Sequence, residues 1–293
     1  MNYSLIFYNY CSIISTYIII KGATMKLVRY GNYGSEKPGI VDNENKIRSI
    51  NHIIGDINPA NLSELNFQEQ CKHLIVEDCP IVGGVNQFRF GSPITNVNRL
   101  ISVGLNSRSD IIPEDIQDLS FLNKAVGSLV GPNDSIVYSK NAKQLDCGAL
   151  LAIIIGKKCK DVKQEEAMQY VLGFSCFNNV SDTVGPLGPY ITTLDEIDDL
   201  STLHIKIWIN GKLRRDYFSS EYGHSPAEVI AYLSKRFMLY PGDVIVMGGR
   251  QDIAAKLVGH EFLKPYDKIS LQIEKLGMQQ HTIVGENELE CID

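Results

Sequence analysis

The sequence predicts a strand-rich α+β protein, and three observations carry that expectation. Short apolar runs rich in Ile, Val and Leu recur between Gly, Pro, Asn and Asp turn signals, and helical periodicity is confined to two marked segments. The chain has 293 residues, 44% of them hydrophobic and 21% charged, which excludes disorder, collagen and coiled coil and leaves enough chain for a sizeable core.

The elements follow in order. Leu27-Val28-Arg29-Tyr30 reads as a strand and Gly31-Asn32-Tyr33-Gly34 as a turn. Pro38-Gly39-Ile40-Val41 is a second strand, and Asp42-Asn43-Glu44-Asn45 closes a hairpin. The run 99–104 opens a second unit as a buried strand, with further strands expected at 135–138 and 149–155. Residues 163–172 predict a helix with Ala167, Met168, Val171 and Leu172 on one face and Gly173 as its stop. Ser225-Pro226-Ala227-Glu228 is a capping box with Pro at the first helical position, predicting a helix to about Leu239. Residues 203–209 alternate as a strand, Asn210-Gly211 is a hairpin turn, and Pro241-Gly242-Asp243 leads into an apolar run over 244–247. The expected organisation is an N-terminal extension over 1–24, a small domain over 25–95, a larger domain over 96–286 and a tail over 287–293.

Residues 2–20 carry no charge and include Leu5, Ile6, Phe7, Ile13, Ile14 and Ile18, yet no Lys or Arg precedes Lys21 and polar residues interrupt the run. A secretory signal needs a basic start and a small-residue cleavage site. The favoured reading is a translated upstream extension, with the fold beginning at Met25; a membrane anchor is the other.

The balance of 28 Lys+Arg against 34 Asp+Glu gives a formal charge of −6, which argues against nucleic acid as a partner. Seven widely spaced cysteines form no C-x-x-C pair and read as free thiols of a cytoplasmic protein. The six His residues form no metal-binding pair, and no nucleophile elbow, Walker loop or dinucleotide fingerprint is present, so no nucleotide cofactor is supported.

The segments 99–106 (RLISVGLN), 128–132 (SLVGP), 151–156 (LAIIIG), 187–190 (LGPY), 207–211 (IWING), 227–239 (AEVIAYLSKRFML) and 241–244 (PGDV) occur in an order and spacing that resemble the fumarylacetoacetate hydrolase family over about Met25 to Val284. The resemblance implies a β-rich mixed fold with a small N-terminal domain, a homodimer, and a divalent ion acting on small 2-oxo or 1,3-diketo acids.

The same resemblance shows where this chain departs. The family's Asp-x-Glu-x-Glu strand aims two metal-binding carboxylates at one face; here it reads Asp146-Cys147-Gly148-Ala149-Leu150. The family's third ligand, the Asp of an Asn-Asp-hydrophobic-Ser motif, falls on Asn179 in Asn178-Asn179-Val180-Ser181. Hard cations are held by carboxylate oxygens, so no metal or other cofactor is expected here. The family's Tyr, His and Glu that handle water and protons fall on Ser107, Asp110 and Pro113. The loop that carries its substrate-binding Lys is cut to residues 181–186, and its Thr-Gly-Thr-Pro turn reads Met247-Gly248-Gly249-Arg250.

Asp110 and Cys147 are therefore the candidate catalytic groups, each against a bland alternative: a helix or turn cap for Asp110, and a buried small hydrophobe for Cys147. Arg108, Asn178, Asn179, Ser181 and Arg250 are the candidate binding residues, with Asp182 and Asp252 beside them. Asn178 and Asn179 would offer amides to a cleft, and Arg250 could clamp a carboxylate. The leading expectation is a homologue with a dismantled metal site that binds a small organic acid or polyketide-like carbonyl compound, with metal-independent isomerase, dehydratase or cyclase chemistry open. The alternatives are a residual hydrolase or decarboxylase of 2-oxo acids, and a non-catalytic structural or partner-binding dimer.

Overall fold

The computed structural model describes residues 25–64, 66–71, 73–104, 119–138, 145–180, 185–248 and 262–286. The first hairpins form where the sequence changes from alternating apolar residues to Gly and Asn. β1 (Lys26–Tyr30) pairs antiparallel with β2 (Lys37–Val41), and β3 (Lys46–Ser49) and β4 (Ile81–Gly84) extend the ribbon, with Asn45 in the left-handed region at the second turn. Two short helices, α1 (Pro59–Glu64) and α2 (Phe67–Cys71), lie between β3 and β4.

β5 (Leu100–Val103), β6 (Phe121–Lys124), β7 (Leu129–Val130) and β8 (Ile136–Tyr138) follow, then the two wholly buried strands β9 (Ala149–Ile155) and β10 (Val171–Asn178). After them come β11 (Gly185–Pro186), β12 (Ile191–Thr192), β13 (His204–Ile209), β14 (Lys212–Phe218), α3 (Pro226–Arg236), β15 (Val244–Val246), β16 (Lys268–Ile273) and β17 (Gly277–Gly285).

Among the described residues the strands form a ten-stranded sheet in the order β4-β3-β2-β1-β12-β10-β9-β15-β5-β6, a five-stranded sheet β14-β13-β16-β17-β8 and the pair β11-β7. Pairing is antiparallel except at β15/β5, β11/β7 and β17/β8. The N-terminal ribbon is thus continuous, through β12, with the strands that follow it. The result is the mixed, sheet-rich α+β architecture that the sequence predicts.

β9 shows why the large sheet is buried on both sides. Its odd residues, from Ala149 to Ile155, pack with Phe174, Cys176, Ile205, Leu271, Val229 and Ile230 in a core between the two main sheets and α3. Its even residues Leu150, Ala152 and Ile154 pack on the other face with Phe67, Leu62, Phe177 and Leu187. A strand covered twice reads as a continuous apolar run.

Two sequence expectations are corrected here. Residues 163–172 do not form an α-helix stopped by Gly173. Gln164–Tyr170 is a 3-10 helix, and Gly173 lies inside β10, where an added Cβ would come within 2.4 Å of the Thr192 carbonyl oxygen. The glycine permits close strand approach. The helix after Ser225 is capped as expected, Ser225 accepting from the Glu228 amide, but it ends at Arg236. Leu239 instead exchanges backbone hydrogen bonds with Cys159 at 2.9 and 3.0 Å. No helix among the described residues is long and apolar enough to cross a membrane. The expectations for residues 1–24 and for the tail beyond 286 lie outside the described residues.

Candidate functional site

The ladder between β9 and β10 ends at a corner. Ala149 pairs with Asn178, and the next backbone bond runs from the Asn179 amide to the Gly148 carbonyl at 2.8 Å. Positions 148, 150 and 179, separated in sequence, are therefore brought together. Gly148 contributes no side chain. Leu150 is 3% exposed and belongs to the apolar cluster around Phe177 and Leu187.

Asn179 is half-buried, and its side-chain oxygen accepts a hydrogen bond from the Lys124 ammonium at 2.5 Å. Lys124 closes β6 at the opposite border of the ten-stranded sheet. It reaches the corner because the chain after β6 folds back: β7 pairs with β11, the Leu187 amide donates to the Val130 carbonyl at 3.1 Å, and Leu187 bridges to Phe177 on β10. Sequence reasoning missed Lys124. Its one local signal was a Lys ending a short strand, 55 positions before its partner.

Asn178 is fully buried, and neither its amide nitrogen nor its amide oxygen takes a hydrogen-bond partner among the described residues. Strand alternation puts it on the Phe174–Cys176 face, paired with Ala149. The two adjacent amides thus belong to different faces of the strand end. A buried amide without partners costs about 1–3 kcal/mol.

Cys147 is 1% exposed, and burial, with Asp146 beside it, pushes its thiol up to about 12. The nucleophile is the thiolate, so at neutral pH this sulfur is a neutral apolar group. Asp146 next to it is tied to the Arg215 guanidinium at 2.9 Å and accepts from the Cys147 amide at 2.8 Å. The half-buried Tyr217 on β14 donates to the Ala149 carbonyl at 2.6 Å, and burial holds its phenol well above the usual range. These contacts fix the start of β9 from the five-stranded sheet.

At the end of β15, an added Cβ on Gly248 would stand 1.8 Å from the Gly104 carbonyl oxygen, so only glycine fits where the ends of β5 and β15 touch. Arg108, Asp110, Ser181, Asp182, Arg250 and Asp252 lie outside the described residues. Elsewhere, an open depression of about 600 Å³ lies between the 3-10 helix Gln164–Tyr170 and α3; Asp161, Lys163, Glu165, His224, Glu228 and Lys235 line it with mixed charge. Among the described residues no three His, Cys, Asp or Glu side chains stand together as a metal-binding group.

Comparison with known proteins bears on this corner. The family model described as "Fumarylacetoacetate (FAA) hydrolase C-terminal" matches residues 101–183 and 181–284. The chain belongs to the fumarylacetoacetate hydrolase family. It is 30% identical to a 2,4-didehydro-3-deoxy-L-rhamnonate hydrolase of Sphingomonas sp. (strain SKA58), a match covering 88% of this chain and 96% of the relative. It is 32% identical to a putative hydrolase of Burkholderia lata over 88% of this chain and 99% of that one. Its fold is similar to that of a fumarylacetoacetate hydrolase from Exiguobacterium antarcticum, with a TM-score of 0.76, 22% identity, and coverage of 89% of this chain and 100% of that one. It is also similar to a maleylpyruvate hydrolase from Sphingobium sp. SYK-6 crystallised with manganese(II) and pyruvate, with a TM-score of 0.74, 23% identity, and coverage of 89% and 99%. The relatives are hydrolases by name, among them ones named for a small organic acid.

Proposed function

We propose that this family member binds a small organic acid or polyketide-like carbonyl compound at the corner between β9 and β10 without a resident divalent ion. The observation that carries the reading is the Lys124–Asn179 contact beside Gly148. A divalent ion of the Mg²⁺ or Mn²⁺ type needs several oxygen ligands, carboxylates foremost. Gly148 and Leu150 offer none, and the Asn179 oxygen is already taken by an ammonium. A positive charge about 4 Å from another costs about 4 kcal/mol per unit charge at an effective dielectric of 20. The described residues at this corner do not fit the ion.

The reading keeps the binding half of the family's work and leaves the chemical half to side-chain acids and bases, in an enolisation, dehydration or cyclisation. Asp110, Arg108, Ser181 and Arg250 remain its candidate polar groups, and Cys147 enters as packing. A cytoplasmic homodimer is part of the proposal, supported by the unpaired cysteines and by the family. Oxalate, a small stable dicarboxylate, should raise the melting temperature of protein kept in EDTA, because selective binding to the folded state stabilises it. A rise that requires added Mn²⁺ would overturn the proposal.

A second reading has its own support, since the relatives that align over 88% of the chain are hydrolases by name. A residual hydrolase or decarboxylase would show Mn²⁺-stimulated turnover of acylpyruvates or oxaloacetate. Absence of turnover above buffer removes it.

A further inference from the structure

β17 carries two buried polar side chains, two positions apart, behind the strand that ends at the corner. His281 is 3% exposed and Gln279 is fully buried. The Gln279 amide nitrogen donates towards three carbonyl oxygens, those of Cys176 at 2.8 Å, Gly188 at 2.9 Å and Pro186 at 3.3 Å. These oxygens fix which way the amide points, because the reversed amide would set oxygen against oxygen. The Gln279 oxygen therefore faces His281, whose Nε2 stands 3.0 Å away, while Nδ1 stands 2.8 Å from the Asp134 carbonyl oxygen. Both ring nitrogens meet acceptors. A neutral imidazole has one N–H, so either tautomer aims a lone pair at an oxygen, whereas the imidazolium donates to both. We infer that His281 is a buried imidazolium that locks Gln279 as a clamp on the carbonyls of β10, β11 and Gly188.

Charge balance points the same way. Arg89 pairs with Asp134 at 2.6 Å and with Glu36 at 2.7 Å, and Arg29 pairs with Glu36 at 3.5 Å and Asp56 at 2.7 Å. Two guanidinium groups thus face three carboxylates, and His281 beside Asp134 supplies the missing positive charge. Burial pulls the imidazole below its ordinary value, and the hydrogen bond and carboxylate of Asp134 push back in part. The Gln279 oxygen is a further acceptor, and bonds that only the charged form can complete favour that form. The other elements packed here offer no rival charge: Ile269 pairs with His281 from β16, Ile136 pairs with Ile283 from β8, and burial keeps the Cys176 thiol on β10 neutral. Cys176 lies two residues before Asn178, so the clamp holds the end of β10 from which the corner projects. Loss of the His281 proton sets an oxygen against a lone pair and loosens that end on the alkaline side. The clamp is independent of what the corner binds.

Histidine-selective ¹⁵N NMR of the wild-type chain at about pH 7.5, roughly a unit above an ordinary imidazole, counts the ring protons directly. The expected signal is a ring protonated on both nitrogens whose N–H protons exchange slowly with solvent. His204, paired with Asp216 but 30% exposed, exchanges fast and is distinguished by that. The slow signal is absent from His281→Gln. Melting temperatures give a second reading. The unfolded imidazole titrates near 6.5, so the advantage of wild type over His281→Gln should be fully present below that pH and shrink as pH rises through the folded-state value. Absence of a slowly exchanging, doubly protonated ring from the wild type overturns the inference, whether or not the variant folds. A melting-temperature gap that stays constant or widens as pH rises overturns it as well.

Discussion

From Leu151 to Ile155, β9 is sealed on both faces by apolar side chains, whereas a few residues earlier, beside the buried Gly148, the same ladder ends on the half-buried Asn179. The sealed stretch is held chiefly by apolar packing; its polar neighbours are the Tyr222 hydroxyl, which accepts from the Leu151 amide at 3.2 Å, and the buried Ser175 opposite Ala152. At the corner the Asn179 side-chain oxygen accepts a hydrogen bond from the Lys124 ammonium. The two regions adjoin along one ladder, yet one is held by apolar packing and the other by polar contacts. Core packing constrains volume and hydrophobicity only, while a chemical site constrains charge and atom type, so a chain can keep the first after abandoning the second.

Substitutions in the two regions should differ accordingly. The largest effect is expected in the sealed stretch: Phe174→Ala should cost about 3–5 kcal/mol, read as a shift of the urea midpoint, because Phe174 is fully buried and the space cannot collapse. Leu150→Glu places a carboxylate in the apolar cluster of Phe177 and Leu187 and should cost at least about 3 kcal/mol; a near-neutral result would show the Leu150 side to be open to water.

A pH titration sharpens the contrast further. The Cys147 and Cys71 thiols are both raised by burial from 9.0 to about 12. Above pH 9 the unfolded chain releases these protons and the folded chain retains them. The contribution of these thiols should therefore be constant below about pH 9 and be lost as pH rises towards 12, with a shallower fall in Cys147→Ala. A slope unchanged by that substitution would mean that the Cys147 thiol is reached by solvent. The smallest effect belongs to neither region: Ser225→Ala removes the cap of α3 and should cost about 1 kcal/mol in thermal or chemical denaturation.

Local chemistry made most of the fold legible. The run Ala149–Ile155 matches β9 residue for residue, and Asn210 and Gly211 adopt the positive φ values, 50° and 76°, that a tight hairpin turn requires. The helix expected over 163–172 misread two signals. Only Ala167 of the 3-10 helix is buried, and the apolar residues from Val171 onward belong to a strand whose partners lie far away in sequence. A glycine that stops a helix and one that lets two strands approach look alike until the neighbour, here Thr192, is known.

The candidate site was legible only in part. Gly148, Leu150 and Asn179 stand at positions that a motif defines, and strand pairing brings them together. Lys124 was not among the residues that the resemblance singled out. Its role depends on the fold-back of β6 and β7 across the sheet, which local sequence does not encode.

The central claim is the proposal that this corner works without a resident divalent ion. Equilibrium dialysis of the purified chain against Mn²⁺, with bound metal counted by mass spectrometry, tests it most directly. The account predicts well under one Mn²⁺ per chain at millimolar free ion, in the wild type and in Asn179→Asp alike. One tightly held Mn²⁺ per wild-type chain, lost on chelation together with oxalate binding, would contradict it.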